Sequence, residues 1–558
     1  MTWVPECKIA LDGFALMALI AAVPLALLLG WLTLGLYRRA INKAMMVAAG
    51  DEVAVQPAHA APGATRGALA FQFLDPTVLG NEANVASMLT QRSRQALWRV
   101  GAVYVIAGAA HAAVITLLIL TVNGLSILPG RFAMVWLVYV WPVIPVLLVT
   151  AASQRRTRLT LLIGYFLVLV ALEAALHALG RQDGPMGQVL ILWNLSMLPP
   201  TILLMLLGNR TVRCVGMIAM MVAITLTLTW LGSFQLLGCL ILTTRSAALL
   251  QWITPVRIVL ELAAAGAIWL LLRQMSANLV RSGTSDQMLN VNSWWLLITT
   301  VEMLTLSPGL KTGAPLVFLA YLAYRLVVGA GLRWSRRLPA AGSPPQLLVL
   351  RVFGHAGRTE RLLDDLGLRW RHLGPINLIA ATDIASSFLE PDELVQFLSG
   401  DLGDAYVGDA ASLQAKLLRL GAGPSADGRY PLNDFFCRDN TWRACVQALA
   451  DRSDAVLMDL RSFGKSNRGC EFELGLLLEH VNLHKVTLLV DRSTDVAQLQ
   501  KTLVELWRQH GFKGVNGASS QPTMNLLRSE GPGAALADAL LNRLLAIAAI
   551  ESRRTAMA

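Results

Sequence analysis

Charge is scarce in this 558-residue chain: Asp, Glu, Lys and Arg make up 15% of it, against roughly 25% in an average soluble protein. Hydrophobic residues reach 55%, and mean hydropathy is +0.54. A single soluble core is excluded, and at this length two or three domains are expected. Cysteine is sparse as well. Cys7, Cys214, Cys239, Cys437, Cys445 and Cys470 form no Cys-x-x-Cys pair. That excludes a disulfide framework and a cysteine-built zinc site, no metal ligands are assigned, and the soluble half suits a reducing cytosol. The first residues, MTWVPECKIALDG, lack the basic start of a secretory leader. The apolar run from Gly13 to Tyr37 outlasts a leader core and ends in Arg38-Arg39, so it reads as a retained helix.

The hydrophobic bias is concentrated before residue 337. A bilayer core takes about 20 apolar residues per helix. That spacing predicts a multi-pass α-helical membrane domain over 1–337 with about nine spans, near 13–37, 98–122, 132–152, 159–180, 189–208, 214–241, 254–273, 292–310 and 314–332. The net charge is +11, but much of it sits in short clusters between apolar runs. Nucleic acid is therefore not an expected partner; the lipid bilayer is. Arg38, Arg39 and Lys43, then Arg155, Arg156 and Arg158, then Arg210 and Arg213, then Arg273 and Arg281, then Arg333, Arg336 and Arg337 mark every second connection. By the positive-inside rule the N-terminus lies outside and the C-terminal half lies in the cytoplasm of a cell inner (plasma) membrane.

His111, Glu173, His177, Glu261, Glu302 and Arg325 fall inside these spans. Intramembrane ionisable groups mark functional sites or local pairs. Glu173 with His177, and Arg257 with Glu261, are four apart and share a helix face. A proton or ion path and simple interhelical pairing both remain open. Pro142 and Pro145 are expected to kink the third span. Between the first two spans, VQPAHAAPGATRG reads as a loop, and NEANVASMLTQRSRQALWR as a short amphipathic helix leading into the second.

LPAAGSPPQ (338–346) is a linker. Over 347–550, apolar strands alternate with amphipathic helices. LLVLRVF, INLIAATD, DAVLMDLR, KVTLLVD and TMNLLR are the strands. That alternation predicts an α/β domain with a parallel sheet covered on both faces. Ligands in such sheets bind at the carboxyl ends of strands, where the strand order reverses.

Two loops lie at such ends. Gly354, His355 and Gly357 follow the first strand. Their glycines permit a tight turn that presents backbone N–H groups to a phosphate, although the Gly-Lys-Ser/Thr of a P-loop is missing there. The second loop, SFGKSNRGCEFEL, places Ser466, Asn467, Cys470, Glu471 and Glu473 between a strand and a helix. Here the chain resembles the TIR (Toll/interleukin-1 receptor) family, which joins a strand, a serine-containing loop and a Cys-x-x-Glu-Leu helix start. In this sequence those parts are SDAVLMDLRSF, Ser466 and Cys470 to Leu474. Gly469 stands where the family usually has tryptophan, the first strand ends Phe353-Gly354-His355, and the segment 384–440 is longer than in the family.

The resemblance implies a TIR/flavodoxin-like sheet and two classes of function. In one, a membrane-anchored signalling or defence effector cleaves NAD at the nicotinamide–ribose bond. NAD is then a substrate and no cofactor is implied. Glu473 matches the family's catalytic glutamate, with Gly354, His355, Gly357, Ser466, Asn467 and Cys470 as nucleotide-binding candidates. A carboxylate there would stabilise a developing oxocarbenium ion, and a position near a helix N-terminus would keep it ionised. In the other class the domain is a non-enzymatic receptor or scaffold that binds a partner and self-associates. Apart from the resemblance, a transporter with a regulatory domain is a third reading. His480 and His484, four apart, could form a metal pair or a solvated helix end. YPLNDFFCRDNTW is a polar patch in which Asp439 or Asn440 would cap the next helix.

Overall fold

The computed structural model describes residues 5–45, 67–74, 83–151, 200–204, 210–233, 258–267, 285–310, 315–336, 344–352, 370–380, 406–420, 423–438, 440–464, 467–511, 514–517, 521–529 and 533–557, with shorter pieces between. It divides into two compact units. The first takes residues 1–37, 98–338 and 389–400; the second takes 38–97, 339–388 and 401–558.

The first unit is helical. Its described helices include α1 (Pro5–Met45), α2 (Ala83–Val122), α3 (Pro129–Val140), α4 (Val143–Ala151), α5 (Arg210–Ser233), α6 (Asp286–Leu310) and α7 (Phe318–Arg336), the first turns of α2 and the end of α1 belonging to the second unit. Three stretches, Ala21–Ile41, Ser93–Val122 and Pro315–Ser335, are long and apolar enough to cross a membrane. The pair α3 and α4, bent by 41°, makes a fourth if it counts as one span. That bend falls at Trp141-Pro142, where proline cannot donate to the helix ladder. The described residues therefore support three or four spans and not nine. The stretches 159–180 and 189–208 fall largely outside them, together with Glu173, His177 and Arg257, while 254–273 is described in part, with helix over 258–267. Large apolar side chains remain exposed along these helices, among them Trp31 at 66%, Ile106 at 60% and Leu326 at 61%. Such surfaces suit a hydrocarbon solvent.

α6 differs in kind. From Asn290 to Glu302 every residue but Leu296 is buried, although Asn290, Asn292, Ser293, Thr299, Thr300 and Glu302 are polar. A helix covered on all sides is a core element. α5 and α7 pack along it, and Tyr324 of α7 donates to Asn292 Oδ1 at 3.2 Å.

The second unit is an eight-stranded sheet with every pairing parallel. Its strands are β1 (Ala70–Leu74), β2 (Leu347–Arg351), β3 (Ile376–Ala380), β4 (Tyr406–Val407), β5 (Leu432–Cys437), β6 (Ala455–Asp459), β7 (Val486–Val490) and β8 (Thr523–Arg528), in the order β1-β8-β7-β6-β2-β3-β5-β4. Its described helices include α8 (Ala410–Arg419), α9 (Trp442–Ala450), α10 (Arg468–His480), α11 (Val496–Leu506) and α12 (Gly533–Met557). Every residue of β2, β6 and β7 is buried, which is why these strands read as unbroken apolar runs.

Three strands depart from the sequence reading. β1 comes from the connection between the first two spans, just after the stretch read as a loop, which lies almost wholly outside the described residues; no strand was expected there. It pairs with β8 from Ala70 against Thr523 to Leu74 against Leu527. Trp507 Nε1 donates to the carbonyl of Gly67 at 3.0 Å just before it. The strand is short, and its exposure does not alternate cleanly because it lies at an edge. β4 and β5 occupy the long 384–440 segment. β5 runs through the stretch read as a polar patch, with Phe435 and Phe436 buried.

Candidate functional site

The chain leaves β2 for β3 on one side and returns to β6 on the other. The carboxyl ends of β2 and β6 therefore flank the reversal in strand order, the place where open α/β sheets bind ligands. Arg351 ends β2 and Asp459 ends β6, paired in register. Both are buried, at 3% exposure each. Asp459 receives both ends of the Arg461 guanidinium, Nε to Oδ1 at 2.8 Å and Nη2 to Oδ2 at 2.6 Å. Such a two-pronged pair fixes both partners.

The chain then turns tightly. Ser462 has φ of +69°, the one positive value among described non-glycine residues. Strained backbone of this kind collects at functional turns. Asn467 Oδ1 accepts from Gly464 N at 2.9 Å and closes the loop. Asn467 is the N-cap position of α10, but its side chain does not cap the helix. Its backbone carbonyl accepts the bond from Glu471 N.

α10 is tied to the end of β2. The Cys470 thiol donates to the carbonyl of Arg351 at 3.8 Å. Burial, then the nearby Glu473, pushes that thiol above its ordinary range, so it is a packed hydrogen-bonding group and not an activated nucleophile. Glu473 is 1% exposed. Its Oε2 has no hydrogen-bond partner among the described residues. Burial pushes its pKa up to about 8, with the Arg351 charge opposing. The expectation of an ionised carboxylate near the helix start is therefore corrected. Glu471 is the acid in the first turn. Glu473 lies past the reach of the helix terminus, in the interior, where desolvation outweighs the dipole.

The structure thus brings Cys470, Glu473 and Asn467 to the β2–β6 reversal. Gly354, His355, Gly357 and Ser466 lie outside the described residues. Sequence reading missed Arg351, Asp459, Arg461 and Ser462. The signal was present, since LVLR and LMDLR each end an apolar strand on charge, which is costly unless paired. An open recess lined by Phe71, Gln500, Lys501, Val504, Glu505 and Arg508 holds none of the predicted residues.

The remaining candidates resolve as local contacts. α10 ends at His480, so His480 and His484 do not share a helix. His480 Nδ1 lies 3.5 Å from Asp451, and His484 Nε2 lies 2.8 Å from Glu551. Among the described residues no group of three or more His, Cys, Asp or Glu side chains is arranged to hold a metal. Asn440 does not cap α9, and Asp439 lies outside the described residues. Thr441 holds the N-cap position without a side-chain cap bond, its hydroxyl donating to the Val407 carbonyl at 2.7 Å. Asn440 Nδ2 donates to the Gly408 carbonyl at 3.3 Å.

Comparison with family models, with curated proteins and with solved structures finds no match to the chain.

Proposed function

We propose that the chain is a membrane-anchored signalling or defence effector whose α/β domain, TIR-like in its 454–491 block, binds NAD or a related nucleotide at the carboxyl ends of β2 and β6. The single observation that carries this reading is the gathering of Arg351, Asp459, Arg461 and Glu473 at the reversal of strand order. In the cleavage reaction the bond between ribose C1′ and the nicotinamide nitrogen breaks, and the electron pair leaves with nicotinamide. Water adds to the cationic ribose and then loses a proton. A carboxylate at Glu473 would stabilise that cation. The buried form described here, with a pKa near 8, is a resting form. Opening to water would lower the pKa and restore the anion. Self-association of the domain is the proposed trigger, as a population shift.

The full helix count, about nine with the N-terminus outside and the domain in the cytoplasm, belongs to the same proposal and rests on the apolar runs and the arginine pattern.

The burial of Glu473 favours one other reading, a non-enzymatic receptor whose domain binds a partner. The full-length chain in lipid nanodiscs, free and clustered on a support, separates the two. Release of nicotinamide that disappears in Glu473→Ala is the expected result. Intact NAD at high protein density in both forms would leave the receptor reading.

A further inference from the structure

Within the first unit, two ionisable side chains meet at zero exposure. His111 of α2 and Glu302 of α6 approach to 3.4 Å between Nε2 and Oε2. Thr299, one turn before Glu302, completes the cluster, with its Oγ1 3.0 Å from His111 Nε2. The Thr299 hydroxyl donates its own hydrogen to the Trp295 carbonyl at 2.8 Å. Its oxygen is therefore the acceptor toward His111, which places a hydrogen on Nε2. Nδ1 of His111 and both carboxyl oxygens of Glu302 have no hydrogen-bond partner among the described residues.

Aromatic side chains close the site. The His111 ring packs against Trp295 with centroids 4.9 Å apart, and Trp295 against Tyr324 at 4.8 Å. The helices are close there. A Cβ at Gly108, one turn before His111, would stand 3.1 Å from the Trp295 ring and collide with Val143 of α4. Among the described residues, the titratable and charged groups next to the site are Tyr139 of α3, and Tyr324 of α7 with the groups that couple to it, Tyr104 of α2, Tyr321 of α7 and Arg325. Arg325 itself is exposed. Of these, Tyr139 couples electrostatically to Glu302.

We infer that His111 and Glu302 form a proton-binding site inside the helical unit, through which the packing of α2 against α6 responds to pH. The physical reason is charge balance. The pair is neutral overall when it holds one exchangeable proton, either as imidazole with carboxylic acid or as imidazolium with carboxylate. Adding or removing a proton leaves one net charge among Trp295, Tyr139 and Tyr324, where an unpaired charge is costly. The tight contact at Gly108 means that relief requires the helices to shift or water to enter. A metal ion fits poorly, because the cluster offers one imidazole nitrogen, one carboxylate and one hydroxyl already engaged with a carbonyl. This site does not depend on the nucleotide reading of the other unit.

The test is infrared difference spectroscopy of the full-length protein in nanodiscs during a pH titration. A carboxylic-acid carbonyl band is expected to appear or vanish with pH, to be missing in Glu302→Gln, and to shift its midpoint by about one unit or more in His111→Gln. If Glu302→Gln does not fold, the His111→Gln midpoint alone decides. Absence of a titrating band over the range in which the protein stays folded overturns the site. A band with the same midpoint in His111→Gln overturns the pairing.

Discussion

The Cys470 thiol donates to the main-chain carbonyl of Arg351 across 3.8 Å and fastens the start of α10 to the last residue of β2. Through this contact, two segments distant in sequence share one end of the sheet. A buried thiol pushed above its ordinary range reacts slowly. Cys470 is therefore expected to resist alkylation in the native protein and to react on unfolding. Mass spectrometry of iodoacetamide-treated protein reads this directly, and rapid native labelling would contradict the packing.

Glu473 should make stability fall with rising pH. Its folded pKa, about 8, lies above its ordinary value of 4.5. Between those values the folded state holds a proton that the unfolded chain has lost, so stability is full below about 4.5 and declines as pH rises toward 8. Glu473→Gln is expected to remove that decline, which amounts to a few kcal/mol. Thermal melts of the full-length protein at a series of pH values measure it. An unchanged pH slope in the variant would show that the carboxyl is hydrated.

β1 makes the α/β unit dependent on residues that precede most of the helical unit. Phe71 packs against the core of the sheet. Phe71→Asp is expected to cost about 2 kcal/mol and to leave the edge of β8 open to association. A lower melting temperature together with aggregation of the variant checks this. A fragment beginning at residue 339 should show the same defect, cured by adding 67–74 in trans.

The Asp459–Arg461 pair is unequal in burial, with the side chains 4% and 12% exposed respectively. Arg461→Met strands the more buried partner and is expected to cost about 3 kcal/mol. Asp459→Asn keeps an acceptor and should cost about 1 kcal/mol. Chemical denaturation of the single and double variants gives the coupling. A coupling near zero would mean that the two-pronged contact opens in solution.

Much of the sheet was legible because β2, β6 and β7 are buried on both faces and carry almost no polar residue to break the run. β8 was legible over its full length, Thr523–Arg528. β5 was hidden because Asn433 and Asp434 interrupt it. Asn433 is accommodated by a side-chain bond from its Nδ2 to Asn377 Oδ1 on the neighbouring strand at 2.8 Å. β1 was hidden because an edge strand of five residues borrows its order from β8 and carries little signal of its own. At the candidate site, the loop from Ser462 to Glu473 was visible as a dense polar run. Its partners Arg351 and Asp459 were not, since each looks like the end of a strand until the two are paired.

The sequence by itself determined the long apolar helices, the alternation of strand and helix after residue 347, and the break at Pro142, all of which follow from local periodicity and backbone chemistry. Only the tertiary structure decided that 70–74 completes the sheet, that Glu473 is buried and inclined to keep its proton, and that His111 meets a cluster 188 residues further along the chain. Burial and pairing depend on which distant segments exclude water from a group, and a local pattern carries no record of that.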